Sequence, residues 1–120
     1  MWKDNLNFLS KLTFKRVSNA LGLVFSFMYS RVSRSPVNHY LPVALAVEPT
    51  TSCNLRCPEC PSGLRSFTRP TGMLRKEMFE KLMEEIGDTL LYLTFYFQGE
   101  PYLHKDFLQM VKLAADKGIY

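Results

Sequence analysis

The chain has 120 residues, of which 47% are hydrophobic and 22% charged, which bounds it to about one modest globular domain. Its net charge of +4 is mild. No long run of like charges occurs, and no basic helix is interleaved with stacking aromatics, so nucleic acid is not indicated as a partner.

Residues 6–29 carry a helical pattern, with Leu6, Leu9, Thr13, Val17, Ala20, Val24 and Met28 on one stripe. The second half of this helix is apolar nearly all round, which predicts packing against another surface. Its own protein body is the commoner choice; a partner or the membrane surface are the others. The apolar stretch around Gly22 and Ser26 falls short of the roughly 20 residues that span a bilayer. Lys15 and Arg16 precede it, an order also found in secretory signals, but no small-x-small cleavage site follows. Residues 31–42, with Pro36 and Pro42, read as a linker. The expected division is therefore a helix and linker over 1–42 and an α/β domain over 43–120.

Residues 43–47 are a short apolar run between Pro42 and Pro49, the pattern of a strand covered on both faces. A cysteine-bearing loop and a turn-rich stretch to Thr71 and Gly72 follow. Residues 75–86 form an amphipathic helix burying Met78, Phe79, Leu82, Met83 and Ile86, with Gly87 placed to stop it. Residues 90–97 are the clearest strand, with Tyr92, Phe95, Tyr96 and Phe97 expected in the core. Gln98-Gly99-Glu100-Pro101 ends that strand abruptly. A second helix over 105–117 buries Phe107, Met110, Val111, Ala114 and Ala115 before Gly118, and Ile119 and Tyr120 begin a third strand. The order β-α-β-α-(β) argues for parallel strands joined by crossover helices. Two βα units cannot close a barrel, so the expectation is the N-terminal part of a longer protein, or a truncated product.

All three cysteines lie within eight residues, Cys53-Asn-Leu-Arg-Cys57-Pro-Glu-Cys60. A disulfide would leave one unpaired, and closely spaced thiols without a disulfide pattern suit a reducing compartment, here the cytoplasm. Thiolates favour soft metals, so zinc and iron–sulfur clusters are the candidates. A structural zinc site wants a fourth ligand, for which the chain offers His39 or His104. A small non-catalytic zinc module is thus one reading. A [4Fe–4S] cluster on three cysteines leaves one iron open, and the uneven spacing fits a loop wrapped round a cubane better than a zinc knuckle. A ferredoxin-type electron carrier is a third reading, disfavoured by the single cysteine set. Functional groups of parallel α/β folds collect at the C-terminal ends of strands, and both the cysteine loop and the Gly99-Glu100-Pro101 loop fall there.

Cys53-x3-Cys57-x2-Cys60 after the first strand resembles the signature of the radical S-adenosylmethionine (radical SAM) superfamily. Gln98-Gly99-Glu100-Pro101 resembles its Gly-Gly-Glu-Pro segment, with Gln98 in place of the first glycine. The stretch from Glu48 to Gly63 looks like the branch that carries a C-terminal SPASM or twitch domain. The similarity covers residues 43–120. It implies the first two βα units of a partial (βα)6 TIM-like barrel, preceded by the N-terminal helix. It also implies that Cys53, Cys57 and Cys60 ligate a [4Fe–4S] cluster whose fourth iron is chelated by S-adenosylmethionine. One-electron reduction then cleaves the sulfonium to a 5′-deoxyadenosyl radical that abstracts hydrogen from a substrate. By the same resemblance Gly99, Glu100 and Pro101 help hold the methionine amino group. Glu59 stands where the family often has an aromatic residue against the adenine, so only a backbone contact is expected there. An electron donor of flavodoxin or ferredoxin type is implied, with a peptide, protein or small metabolite as substrate. Arg65 and Arg69, beyond the cysteines, are candidates for a substrate or auxiliary-domain contact, against the commoner role of solvated charges.

Overall fold

A computed structural model describes residues 2–120. Two helices come first, α1 (Trp2–Ser10) and α2 (Phe14–Ser33), then strand β1 (Ala44–Ala46), helix α3 (Lys76–Ile86), strand β2 (Tyr92–Thr94), a 3-10 turn (Pro101–Leu103) and helix α4 (Phe107–Asp116). The single helix expected over 6–29 is broken at residues 11–13. Thr13, in extended backbone, turns its side chain onto the Arg16 N–H and caps α2, so the chain restarts its helix there rather than running through.

β1 and β2 are parallel, with Ala44 opposite Tyr92 and Ala46 opposite Thr94. The third strand expected at Ile119 and Tyr120 begins beside β2: the Tyr120 N–H donates to Leu91 O (3.0 Å) and Tyr120 O accepts from the Leu93 N–H (2.9 Å). Tyr92 and Tyr120 stack across this pair with ring centroids 5.5 Å apart. α4 is closed by a Schellman turn in which Gly118, at φ 67°, and Ile119 donate to Ala115 O and Ala114 O.

One core holds these elements together. Phe79, Met83 and Ile86 of α3 and Met110 and Ala114 of α4 meet Leu90 and Ile119, with Leu45, Val47, Leu93 and Phe95 packed against them. Helices α3 and α4 therefore lie on the same face of the sheet. The opposite face, with Ala44, Ala46 and Tyr92, is exposed, so the strands are not covered on both sides among the described residues. Tyr96 and Phe97, expected in the core, stand in solvent because β2 ends at Thr94 and the chain leaves the sheet before them. Met78 also points outward, one residue off the buried stripe of α3.

Helix α1 docks through Phe8, edge-on to Tyr120 with ring centroids 5.3 Å apart, and through Asp4, which accepts from the Tyr120 hydroxyl (2.6 Å); α2 docks through polar groups. Arg16, almost fully buried, donates to Gly87 O (3.2 Å) after α3, to Lys117 O (2.9 Å) and Gly118 O (2.6 Å) after α4, and to Lys11 O (2.8 Å). A guanidinium thus sits over the carbonyl-rich ends of two helices, where the helix dipole favours a cation. Burial pushes its pKa down and Asp88 opposes that shift. Asn19 exchanges two hydrogen bonds with the Leu41 backbone, and Ser26 donates to Val37 O, which folds the linker back along α2.

Candidate functional site

The neck of the cysteine loop is fixed before any cysteine is reached. Thr50 and Met73 form an isolated antiparallel bridge, the Leu74 N–H donates to Pro49 O (2.8 Å), and the Thr51 N–H and Thr50 hydroxyl both donate to Gly72 O (3.1 Å each). Between these ends the chain turns back on itself, with Cys60 N–H donating to Cys57 O (3.2 Å). Arg69 pairs with Glu48 at 2.8 Å and lies 4.8 Å over the Phe67 ring, which ties the far limb of the loop to the end of β1. Arg65 is exposed in left-handed backbone at φ 52°.

The loop after β2 is pressed against this one. Glu100 N–H donates to Ser52 O (2.8 Å), immediately before Cys53. Gly99 lies at φ 79°, and a Cβ built on it would meet Thr50 O at 2.0 Å and Ser52 O at 3.1 Å. Only glycine satisfies both the left-handed backbone and the close approach of the two loops. The two loops placed on one rim by their position in the sequence are therefore in direct backbone contact.

A side-chain bridge lies beside that contact. Gln98 Oε1 accepts from the Ser62 hydroxyl (2.9 Å), the Ser62 oxygen accepts from the Gly99 N–H (3.1 Å), and the Cys60 thiol reaches Gln98 Oε1 at 3.7 Å. The N–H groups of Gly63 and then Ser62, helped by the Ser62 hydroxyl, hold the Cys60 thiol below its ordinary pKa against the opposing effect of desolvation. Gln98 attracted notice in the sequence only as a departure from glycine, and Ser62 not at all. Their signal was a small hydroxyl residue two positions after a cysteine, too common to single out.

The remaining site candidates fall as follows. Cys53 and Cys60 are half-buried and Cys57 is exposed; all three are free thiols. Among the described residues no three His, Cys, Asp or Glu side chains stand together in a way that could hold a metal ion, so the cysteines share a loop without converging. Glu59 is exposed. Glu100 Oε1 accepts from the Tyr102 N–H (3.2 Å) and so caps the 3-10 turn that Pro101 opens. His104, weighed as a zinc ligand, is buried: its Nδ1 accepts from the Asp106 N–H (3.0 Å) and its Nε2 lies 2.7 Å from Leu74 O. Both ring nitrogens are occupied by backbone, so this histidine joins the two helix starts and is no ligand in this arrangement. His39 is exposed in the linker.

No family model matches the chain. Over 80 residues, 67% of the chain, it is 30% identical to a PqqA peptide cyclase of Bradyrhizobium diazoefficiens and 28% identical to a PqqA peptide cyclase of Rhodopseudomonas palustris. The chain spans 21% of the length of each of these curated relatives. Among solved structures it is similar to BtrN, crystallised in complex with AdoMet and 2-DOIA, with a TM-score of 0.56 and 29% identity. That match covers 64% of this chain and 32% of BtrN.

Proposed function

We propose that this chain, partially homologous to radical SAM enzymes over about 65% of its length, forms the cluster-binding and S-adenosylmethionine-binding portion of such an enzyme. The observation that carries the reading is the backbone contact between the cysteine loop and the Gly99-Glu100 loop at Ser52. It brings three thiols and a carboxylate-bearing loop to one rim of a parallel sheet.

The donor chemistry suits an iron–sulfur centre. Three thiols share one loop, and the donors around Cys60 favour its thiolate, the form that ligates iron. Cys53, Cys57 and Cys60 would hold the cluster, which supplies the electron that splits bound S-adenosylmethionine and starts hydrogen abstraction. The protein's own share is positional. Gly99 keeps the second loop against the first, its N–H held by the Ser62 oxygen. Glu100 offers a carboxylate to an ammonium group, and Pro101 fixes the turn behind it. Glu59 would contribute backbone alone. Gln98 and Ser62 keep Cys60 in register with that loop.

A peptide is the substrate class we favour, because both curated relatives are peptide cyclases; a small metabolite is the alternative, since the BtrN structure holds 2-DOIA. A flavodoxin- or ferredoxin-type donor, a reducing cytoplasmic setting and a further SPASM-type domain complete the proposal. Anaerobic reconstitution of the full-length protein tests it. The expected product is brown, with about four irons per chain, as a cubane requires, and loses them when Cys53, Cys57 and Cys60 are replaced by alanine. A colourless protein that binds a single zinc would overturn it in favour of a structural module.

A further inference from the structure

Helix α2 is built inside out. The side chains it turns toward the protein are polar or absent, namely Arg16, Asn19, Gly22 and Ser26, all buried and the three polar ones hydrogen-bonded to backbone carbonyls. The face it turns to solvent is apolar. Phe14 is 90% exposed, Phe25 70% and Val32 85%, with Leu21, Val24 and Met28 exposed between them. The apolar stripe read from the sequence is therefore real, but it points away from the body. An uncovered apolar face along a 20-residue helix, about 30 Å long, marks a surface that binds something.

We propose that this face lies on an anionic membrane surface. Charge decides the occupant. Residues 2–42 hold Lys3, Lys11, Arg31 and Arg34, besides Lys15, which pairs with Asp88, and the buried Arg16, against a single acid, Asp4. At about 3.6 residues per turn, Arg31 falls on one border of the apolar stripe. Arg34 caps the C-terminal end, and the Arg31 guanidinium lies 5.9 Å from the Phe27 ring centroid. Arginines at one border and at the end of a face of Phe, Leu, Val and Met suit a helix that lies in the headgroup region of an anionic bilayer. A second copy of the chain on this face would bring Arg31 and Arg34 of each copy into one interface, which disfavours self-association. No described helix is long and apolar enough to cross a membrane, so α2 lies on the surface. Trp2, 80% exposed on α1, extends the same basic segment with an interfacial aromatic.

Trp2 is the chain's only tryptophan and reports the contact directly. The full chain is mixed with vesicles of phosphatidylcholine alone or with about one third phosphatidylglycerol, followed by Trp2 fluorescence and co-sedimentation. Binding to the anionic vesicles is expected to be at least about tenfold tighter, to blue-shift Trp2, and to weaken with salt. The exposed double variant Phe25→Ser/Val32→Ser loses it while keeping the wild-type circular dichroism. Arg31→Glu/Arg34→Glu loses only the preference for anionic lipid. Equal binding to both vesicles, no binding to either, or a lipid-independent dimer abolished by the Phe25→Ser/Val32→Ser change would each overturn the proposal. Because the readout needs no cluster, its outcome is independent of the enzymatic reading.

Discussion

Cys60 shows how a single residue is prepared by neighbours that the motif does not contain. Its thiol pKa is lowered first by the Gly63 N–H, then by the Ser62 N–H, with the Ser62 hydroxyl adding to both. A depressed thiol pKa means more thiolate near neutral pH than an ordinary thiol carries. In cluster-free protein, the pH midpoint for alkylation of Cys60 should therefore lie below that of an ordinary thiol. Ser62→Ala should move it up, since the hydroxyl that can turn from Gln98 Oε1 to the thiolate is gone; an unchanged midpoint would show that the hydroxyl stays on Gln98. The cysteines and the Gly99-Glu100-Pro101 segment were legible in the sequence because their spacing is unusual. The support from Ser62 and Gln98 was not, because it depends on two loops 36 residues apart meeting side by side.

At the scale of elements, the βα order, the two amphipathic helices and the start of a third strand could all be read from periodicity and turn residues. The N-terminal helix could not be oriented that way. Periodicity locates a stripe but does not say whether it faces inward, and here Arg16, Asn19 and Ser26 occupy the buried side because each finds backbone carbonyls there. Arg16 is the main fastening. Arg16→Ala leaves carbonyls at the ends of α3 and α4 without their donor, and should cost about 2–3 kcal/mol of stability by urea unfolding. It should also raise amide hydrogen exchange in α2. Arg16→Lys should recover only part, because one ammonium cannot reach the four carbonyls that the planar fork serves. Wild-type stability in Arg16→Ala would show that α2 is held by its other contacts. The exposed Lys15–Asp88 pair, 2.7 Å apart, is a minor contributor beside it.

Over the whole molecule, the radius of gyration of 17.1 Å exceeds the roughly 14 Å of a compact chain of this length. The sheet carries α3 and α4 on one face, while among the described residues the other face meets only α1, through Phe8 and Asp4 against Tyr120. Expecting both strand faces to be covered failed at Ala44, Ala46 and Tyr92, since an apolar run records the burial a strand is suited to, not the layers present beside it. The rim where the cysteine loop meets the Gly99 loop is already assembled by these two βα units, and on that rim the functional account rests. Its most direct test is the electron paramagnetic resonance spectrum of the reduced, reconstituted full-length protein, recorded with and without S-adenosylmethionine. The account predicts a reduced-cluster signal whose g-values change when S-adenosylmethionine is added. A signal unaltered at saturating S-adenosylmethionine would contradict it.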